Sequence, residues 1–227
     1  MLKIYGVPIS VHTRKVIVVA LAKKLEHEVI PVVPVIPGNP PSNWRELSPT
    51  GKIPALTDGD FTVADSAAIC GYLEKIHPGE PVYPSTPRDY ATALSFEQYA
   101  GAMFRDVVHP LFQETFVFPR IKKVATNQQR VDQVLAGPVP EMFGYLDAVL
   151  RDNYLAGDRA GVADFAVVSN LITYQYIGFD LYRERFRRLA AFCDRVLRHP
   201  AMTEALRREQ PVVDSMGLKR DWHVQDR

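Results

Sequence analysis

Hydrophobic and polar positions change their period once along the chain. From Leu2 to Tyr5 apolar and polar residues alternate as in a strand, and Gly6-Val7-Pro8 breaks the run. From Val11 to Leu25 the apolar residues Val16, Val19, Ala20, Leu21 and Leu25 recur at helical spacing. Ser10 stands as the candidate cap, and Lys23 and Lys24 lie at the end where the helix dipole favours cations. Glu28 to Val33 reads as a second strand, pushed toward a sheet edge by Pro31 and Pro34. Asn43 to Leu47 is long enough for one or two helical turns. Asp58-Gly59 marks a hairpin between Ala55-Leu56-Thr57 and Phe61-Thr62-Val63, and Asp65-Ser66 precedes a helical run to Ile76. Between 77 and 87 four prolines and a glycine exclude helix and central strand, so a linker is expected. Beyond it the period is helical: 88–118, 127–151, 162–176, 184–197 and 201–208, with no strand run of comparable strength. The pattern predicts an α/β domain over 1–78, a linker over 79–87 and an all-α domain over 88–227.

Composition narrows the class without changing this outline. At 227 residues, 47% hydrophobic and 23% charged, the chain is an ordinary globular protein with a sizeable core. A net charge of +1 with interspersed signs gives no reason to expect nucleic acid or an acidic membrane as partner. The Arg-rich stretch from Arg183 to Arg198 alternates with Phe186, Leu189, Phe192, Val196 and Leu197 and reads as the solvated face of a helix. Cys70 and Cys193 sit far apart in apolar helical patterns, which predicts buried thiols and a reducing, cytoplasmic compartment. No apolar run approaches a membrane span, and the start reads as a strand rather than a signal peptide. The six histidines share no helical face, so no metal site is expected.

Three short features carry candidate chemistry. Pro54 has no N–H for a ladder and must start an edge strand or lie in a turn. Asp65-Ser66, at a helix N-terminus, offers free N–H groups and the positive dipole end to a carboxylate. Ser10 stands just ahead of the first helix. Read alone, these are a turn and two helix caps. On the helical run at 162–176, Gly161 occupies the cap position and Asp164 the third helical one. Only the acidic half of a capping box is therefore present, at a cost of a few tenths of a kcal/mol relative to Ser.

Taken together and in this order, Ser10, Ile53-Pro54, Asp65-Ser66, the proline-rich linker and the Asp164 helix resemble the cytosolic glutathione transferases, of the serine type found in bacterial theta/phi-like members. The resemblance implies a thioredoxin-like first domain followed by an all-helical one, a glutathione cosubstrate, a homodimer, and transfer of the glutathione thiolate to a small hydrophobic electrophile. It makes Ser10 the residue that stabilises the thiolate, with His12, Thr13 and Tyr5 as second choices. It makes Ile53-Pro54 a cis pair whose backbone meets the tripeptide, assigns Asp65 and Ser66 to its γ-glutamyl end, and offers Lys52 to its glycyl carboxylate. Lys52 stands where relatives often have Gln, and Asp65 where many have Glu. Val11, Phe104, Val108 and Tyr174 are the implied electrophile wall. On the helix from 88, Ala100, Phe104, Val108 and Phe112 form one apolar stripe. No cysteine stands at position 10 and the run Ile9-Ser10-Val11-His12 lacks a Ser-Ser-Cys pattern, which weighs against thiol-disulfide exchange and cis-trans isomerisation. The alternatives are a non-catalytic glutathione-binding or protein-interaction module, and a glutathione-dependent dehalogenase or peroxidase. The tail after Pro211, with Trp222 and His223, carries no assignment.

Overall fold

The computed structural model describes residues 1–77, 79–150 and 152–218; Trp222 and His223 lie outside the described residues. The first domain runs β1 (Leu2–Tyr5), α1 (Val11–Ala22), β2 (His27–Ile30), α2 (Trp44–Leu47), β3 (Ala55–Asp58), β4 (Phe61–Ala64) and α3 (Ser66–Ile76). Its sheet has the order β2-β1-β3-β4: β1 pairs parallel with β2 and antiparallel with β3, and the hairpin closes β3 on β4. Strand periodicity splits the sheet cleanly. Leu2, Ile4 and Leu56 face the main core with α1 and α3, while Tyr5 and Ala55 face a small cluster around Val32 and Trp44. The second strand is shorter than expected, ending at Ile30 because Pro31 follows.

The helical domain begins with α4 (Pro87–Met103), capped by Thr86, whose hydroxyl accepts from Asp89 N–H at 3.1 Å. Where a plain helix to 118 was expected, the same rod continues to Lys122 through two widened π segments, Phe104–Val108 and Gln113–Lys122, flanking α5 (His109–Phe112). Pro110 and Pro119, which lack an N–H for the regular ladder, fall in α5 and in the second widened segment. A widened turn also rotates residues four apart off a common face. Ala100 and Val108 are buried, but Phe104 and Phe112 are only half-buried.

The expected helix over 127–151 is two, α6 (Gln128–Ala136) and α7 (Pro138–Val149), broken at Gly137 because Pro138 can start a helix but not continue one. Next comes α8 (Val162–Tyr176), buried along its whole length. The last two are α9 (Arg187–Leu197), which starts three residues later than expected, and α10 (Pro200–Ser215), which runs past 208 with Pro211 inside it. On α9, Leu189, Phe192, Val196 and Leu197 are buried and Arg187 is exposed, as the period required.

Helix α1 is the hub. It packs against the sheet, α3, α8 and α10, so it is buried all round rather than along one stripe. Its cations are buried with it. Lys15 pairs with Glu97 of α4 at 2.7 Å, and Lys23, expected at the helix end where the dipole favours cations, is 2% exposed at the C-cap and pairs with Glu74 of α3 at 2.9 Å.

Candidate active site

Ser10 caps α1 with extended backbone angles, and its Oγ accepts from Thr13 N–H at 3.5 Å, a long bond for this geometry. The hydroxyl acts there only as acceptor, so its proton is free to be donated elsewhere. Capping a helix and stabilising a sulfur anion are therefore compatible tasks for one side chain. The turn before it is tight. Gly6 stands with φ +158°, and a Cβ there would come within 2.5 Å of Thr13 Oγ1.

The loop that delivers Pro54 is held by Ser48 Oγ donating to Lys52 C=O at 2.6 Å and Trp44 Nε1–H donating to Gly51 C=O at 3.2 Å, with Gly51 in the left-handed region at φ +69°. The Ile53-Pro54 peptide is cis. Pro54 is buried and Ile53 half-buried, packed on the Trp44 cluster, while the Lys52 side chain is exposed.

At α3 the cap is Asp65, not Ser66. Asp65 Oδ1 accepts from Ala67 N–H at 2.8 Å and Ala68 N–H at 3.3 Å, and its backbone stands at φ +84° and ψ 128°, a conformation side chains rarely adopt. Ser66 is the first helical residue and is buried.

Only part of this set lines one cleft: Asp65 and Ser66 do, whereas Ser10, Lys52, Ile53 and Pro54 do not contribute to its wall. A cavity of about 100 Å³ is lined by Val11, His12 and Lys15 from α1, by Asp65, Ser66 and Ala67 from α3, and by α4 and α8 residues including Glu97 and Asn170. The N-terminal turns of α1 and α3 thus open on the same space, which favours a ligand carrying negative charge. Asn170 donates to Ala100 C=O and Ala166 C=O while its Oδ1, buried at the cavity, has no hydrogen-bond partner. A larger depression, about 700 Å³, is lined only by helical-domain residues such as Asp152, Tyr154, Arg188 and Arg195, and contains none of the residues above.

His12 is the titratable group whose state matters most here. Burial first, then the Lys15 and Lys52 charges, push its imidazole down to about 4 against the opposing pull of Asp65, so it is neutral at physiological pH. Its ring meets Phe104 edge-on with centroids 4.6 Å apart, which brings the first turn of α1 against the first widened segment after α4. Phe104 in turn lies 5.5 Å from the His109 ring.

The other candidates sit elsewhere. Thr13 is fully buried with its hydroxyl against Gly6, and Tyr5 is half-buried in β1 beside Trp44. Val108 has no exposed surface, and Tyr174 is enclosed in the helical core, stacked 5.3 Å from Phe179 and edge-on to Phe143. Neither Val108 nor Tyr174 presents a wall to the cleft. Sequence reasoning missed Lys15, Glu97 and Asn170. A cation placed just before the apolar run Val16 to Ala20 was the available signal for the first, since such a charge must find a buried partner.

The chain belongs to the glutathione S-transferase family: residues 4–81 match the glutathione S-transferase N-terminal domain and residues 105–209 the C-terminal domain. It is similar to glutathione S-transferase 3 of Zea mays, 30% identical over 169 residues that cover 72% of this chain and 73% of the relative. It is also similar to glutathione S-transferase Z2 of Arabidopsis thaliana, 27% identical over 92% of both chains. Among solved structures, a glutathione S-transferase from Rhodospirillum rubrum superposes with a TM-score of 0.81 over 91% of this chain and 92% of its own, at 24% identity, and shares the thioredoxin-like and helical domain pair. The protein is a glutathione transferase enzyme.

Proposed function

We propose that this transferase is of the serine type and conjugates glutathione to a small hydrophobic electrophile, with the Ser10 hydroxyl stabilising the thiolate. The observation that carries the reading is the convergence of two helix N-termini, α1 behind Ser10 and α3 behind Asp65 and Ser66, on one interdomain cleft. A free thiol ionises near 8.5 and only its anion attacks. A hydroxyl that donates to sulfur at the positive end of a helix lowers that value, each unit being worth about 1.4 kcal/mol. In this reading the α3 N-terminus and Ser66 take the γ-glutamyl carboxylate, the main chain at Ile53-Pro54 pairs with the cysteinyl part, and the exposed Lys52 side chain serves the glycyl carboxylate. Val11, His12 and Phe104 form the apolar side toward the electrophile, and the neutral imidazole of His12 adds no charge there.

The test is Ser10→Ala. Turnover with an aryl halide falls at least about tenfold, equivalent to about 1.4 kcal/mol, and the acid limb of the pH-rate profile moves to higher pH. An unchanged profile would hand the role to another group.

We further infer a homodimer in the cytoplasm. The exposed Phe61 ring of β4, 4.7 Å from Tyr72 of α3, and the exposed Tyr90 and Leu94 of α4 supply apolar surface of the kind that subunits cover. Both cysteines are free and buried, which suits a reducing compartment. Sedimentation at micromolar concentration gives twice the chain mass; a monomer there removes the proposal.

A further inference from the structure

Arg14 is among the largest fully buried side chains of the described residues, and its guanidinium ties the residue before Ser10 to α8 and α10. Nη2 donates to Ile9 C=O at 3.2 Å, Nη1 donates to Ser169 C=O at 2.8 Å and Thr173 Oγ1 at 3.1 Å on α8, and Nε donates to Glu209 Oε2 of α10 at 2.8 Å. Glu209 is itself fully buried, and its other oxygen accepts from Tyr176 OH. The backbone of Arg14 adds a further tie, its N–H donating to Ser10 C=O at 2.7 Å, while Ser10 N–H donates to Val7 C=O at 3.0 Å.

The peptide on either side of the Ser10 Cα is therefore held in place. The one before it is fixed at its carbonyl by the Arg14 guanidinium and at its N–H by Val7; the one after it is fixed at its carbonyl by the Arg14 amide. With both planes set, the side-chain torsion is the principal freedom left to the hydroxyl. A planar guanidinium, with donors in a fixed fork, can hold a carbonyl, a hydroxyl and a carboxylate at once in a way an ammonium cannot.

We propose that Arg14 is a positioning residue that fixes the Ser10 backbone from the helical domain, with Glu209 of α10 setting the guanidinium's orientation. The proposal rests on the Ser10 reading above. Its consequence is that the ionisation of bound glutathione depends on a carboxylate at the far end of the chain that touches neither sulfur nor serine.

The experiment follows thiolate formation by bound glutathione, through its ultraviolet absorbance against pH, in Ser10→Ala, Arg14→Lys, Glu209→Gln and the double variant Ser10→Ala/Glu209→Gln. Glutathione affinity and the thermal midpoint are measured in parallel. His12, Lys15, Lys52 and Asp65, the other charged or titratable groups about this turn, are left intact. Arg14→Lys and Glu209→Gln are expected to move thiol ionisation to higher pH and lower kcat at least about threefold, with glutathione affinity held within about twofold. The double variant is expected to ionise glutathione no worse than Ser10→Ala alone, because a misplaced hydroxyl and an absent one are equivalent. If Glu209→Gln folds and ionises glutathione like the parent while Ser10→Ala does not, Arg14 and Glu209 are structural only and the proposal falls with the Ser10 reading intact. If Ser10→Ala itself leaves ionisation unchanged, the Ser10 reading falls and takes the proposal with it. Should Arg14→Lys fail to fold, the isosteric Glu209→Gln decides.

Discussion

The first turns of α1 and α8 are built from the same parts and used for opposite ends. At α8, Asp164 Oδ2 accepts from Gly161 N–H at 2.8 Å and Oδ1 from Leu155 N–H at 2.9 Å, and the carboxyl is wholly buried. At α1, the Ser10 cap bond is stretched to 3.5 Å and the residue is half-buried beside the cleft. The α8 terminus is sealed, with its donors consumed inside the protein. The α1 terminus keeps its donor and its dipole available to an incoming ligand. A helix start is thus closed or open to a ligand according to how completely the protein satisfies it.

The sealed terminus should break hardest. Asp164→Ala strands two buried N–H groups and is expected to cost about 3 kcal/mol or more of folding stability, read by denaturant midpoint, while the folded fraction keeps its glutathione-ionisation profile. Next comes Gly161→Ser, which on sequence grounds restores a preferred cap. A Cβ at this position would lie 2.6 Å from Val82 C=O, which also accepts from Val162 N–H at 2.9 Å, so the substitution is expected to destabilise by about 1–3 kcal/mol. A stabilised Gly161→Ser protein would show that the segment at Val82 can retreat.

The smallest effect belongs to the open terminus and to pH. His12 has its folded value depressed to about 4. Below its unfolded value near 6.5 the unfolded chain takes up a proton that the folded one refuses. This residue therefore subtracts stability as pH falls from about 6.5 toward 4, and no further below that. His12→Gln should flatten that part of the stability curve, measured by thermal midpoint at pH 7 and pH 5. An unaltered slope would mean that other groups carry the acid sensitivity.

What could be read from the residues was local. The strand alternation at Leu2 to Tyr5, the Asp58-Gly59 hairpin and the caps before α1 and α3 all arise within a few positions, and they placed the first domain and the cleft-lining turns. The pairings that close the interface did not show. Lys15 and Glu97 are 82 residues apart and Arg14 and Glu209 are 195 apart, so each looks like an isolated charge until the domains meet. Gly161 was legible as a missing hydroxyl, but its cause, the close approach of the Val82 carbonyl, belongs to tertiary packing. The stripe from Ala100 to Phe112 was drawn with an ordinary helical period and bent away where the turns widen, which placed Phe104 against His12 while Val108 went into the core.

Two cations on α1, at positions 14 and 15, and one at its C-cap, Lys23, each grip an acid on a different helix: α10, α4 and α3. Swinging this helix outward would break all three pairs at once and leave the buried Glu97 and Glu209 without their cations. Ser10, as the cap of this helix, is thereby anchored to three other helices by contacts made at folding.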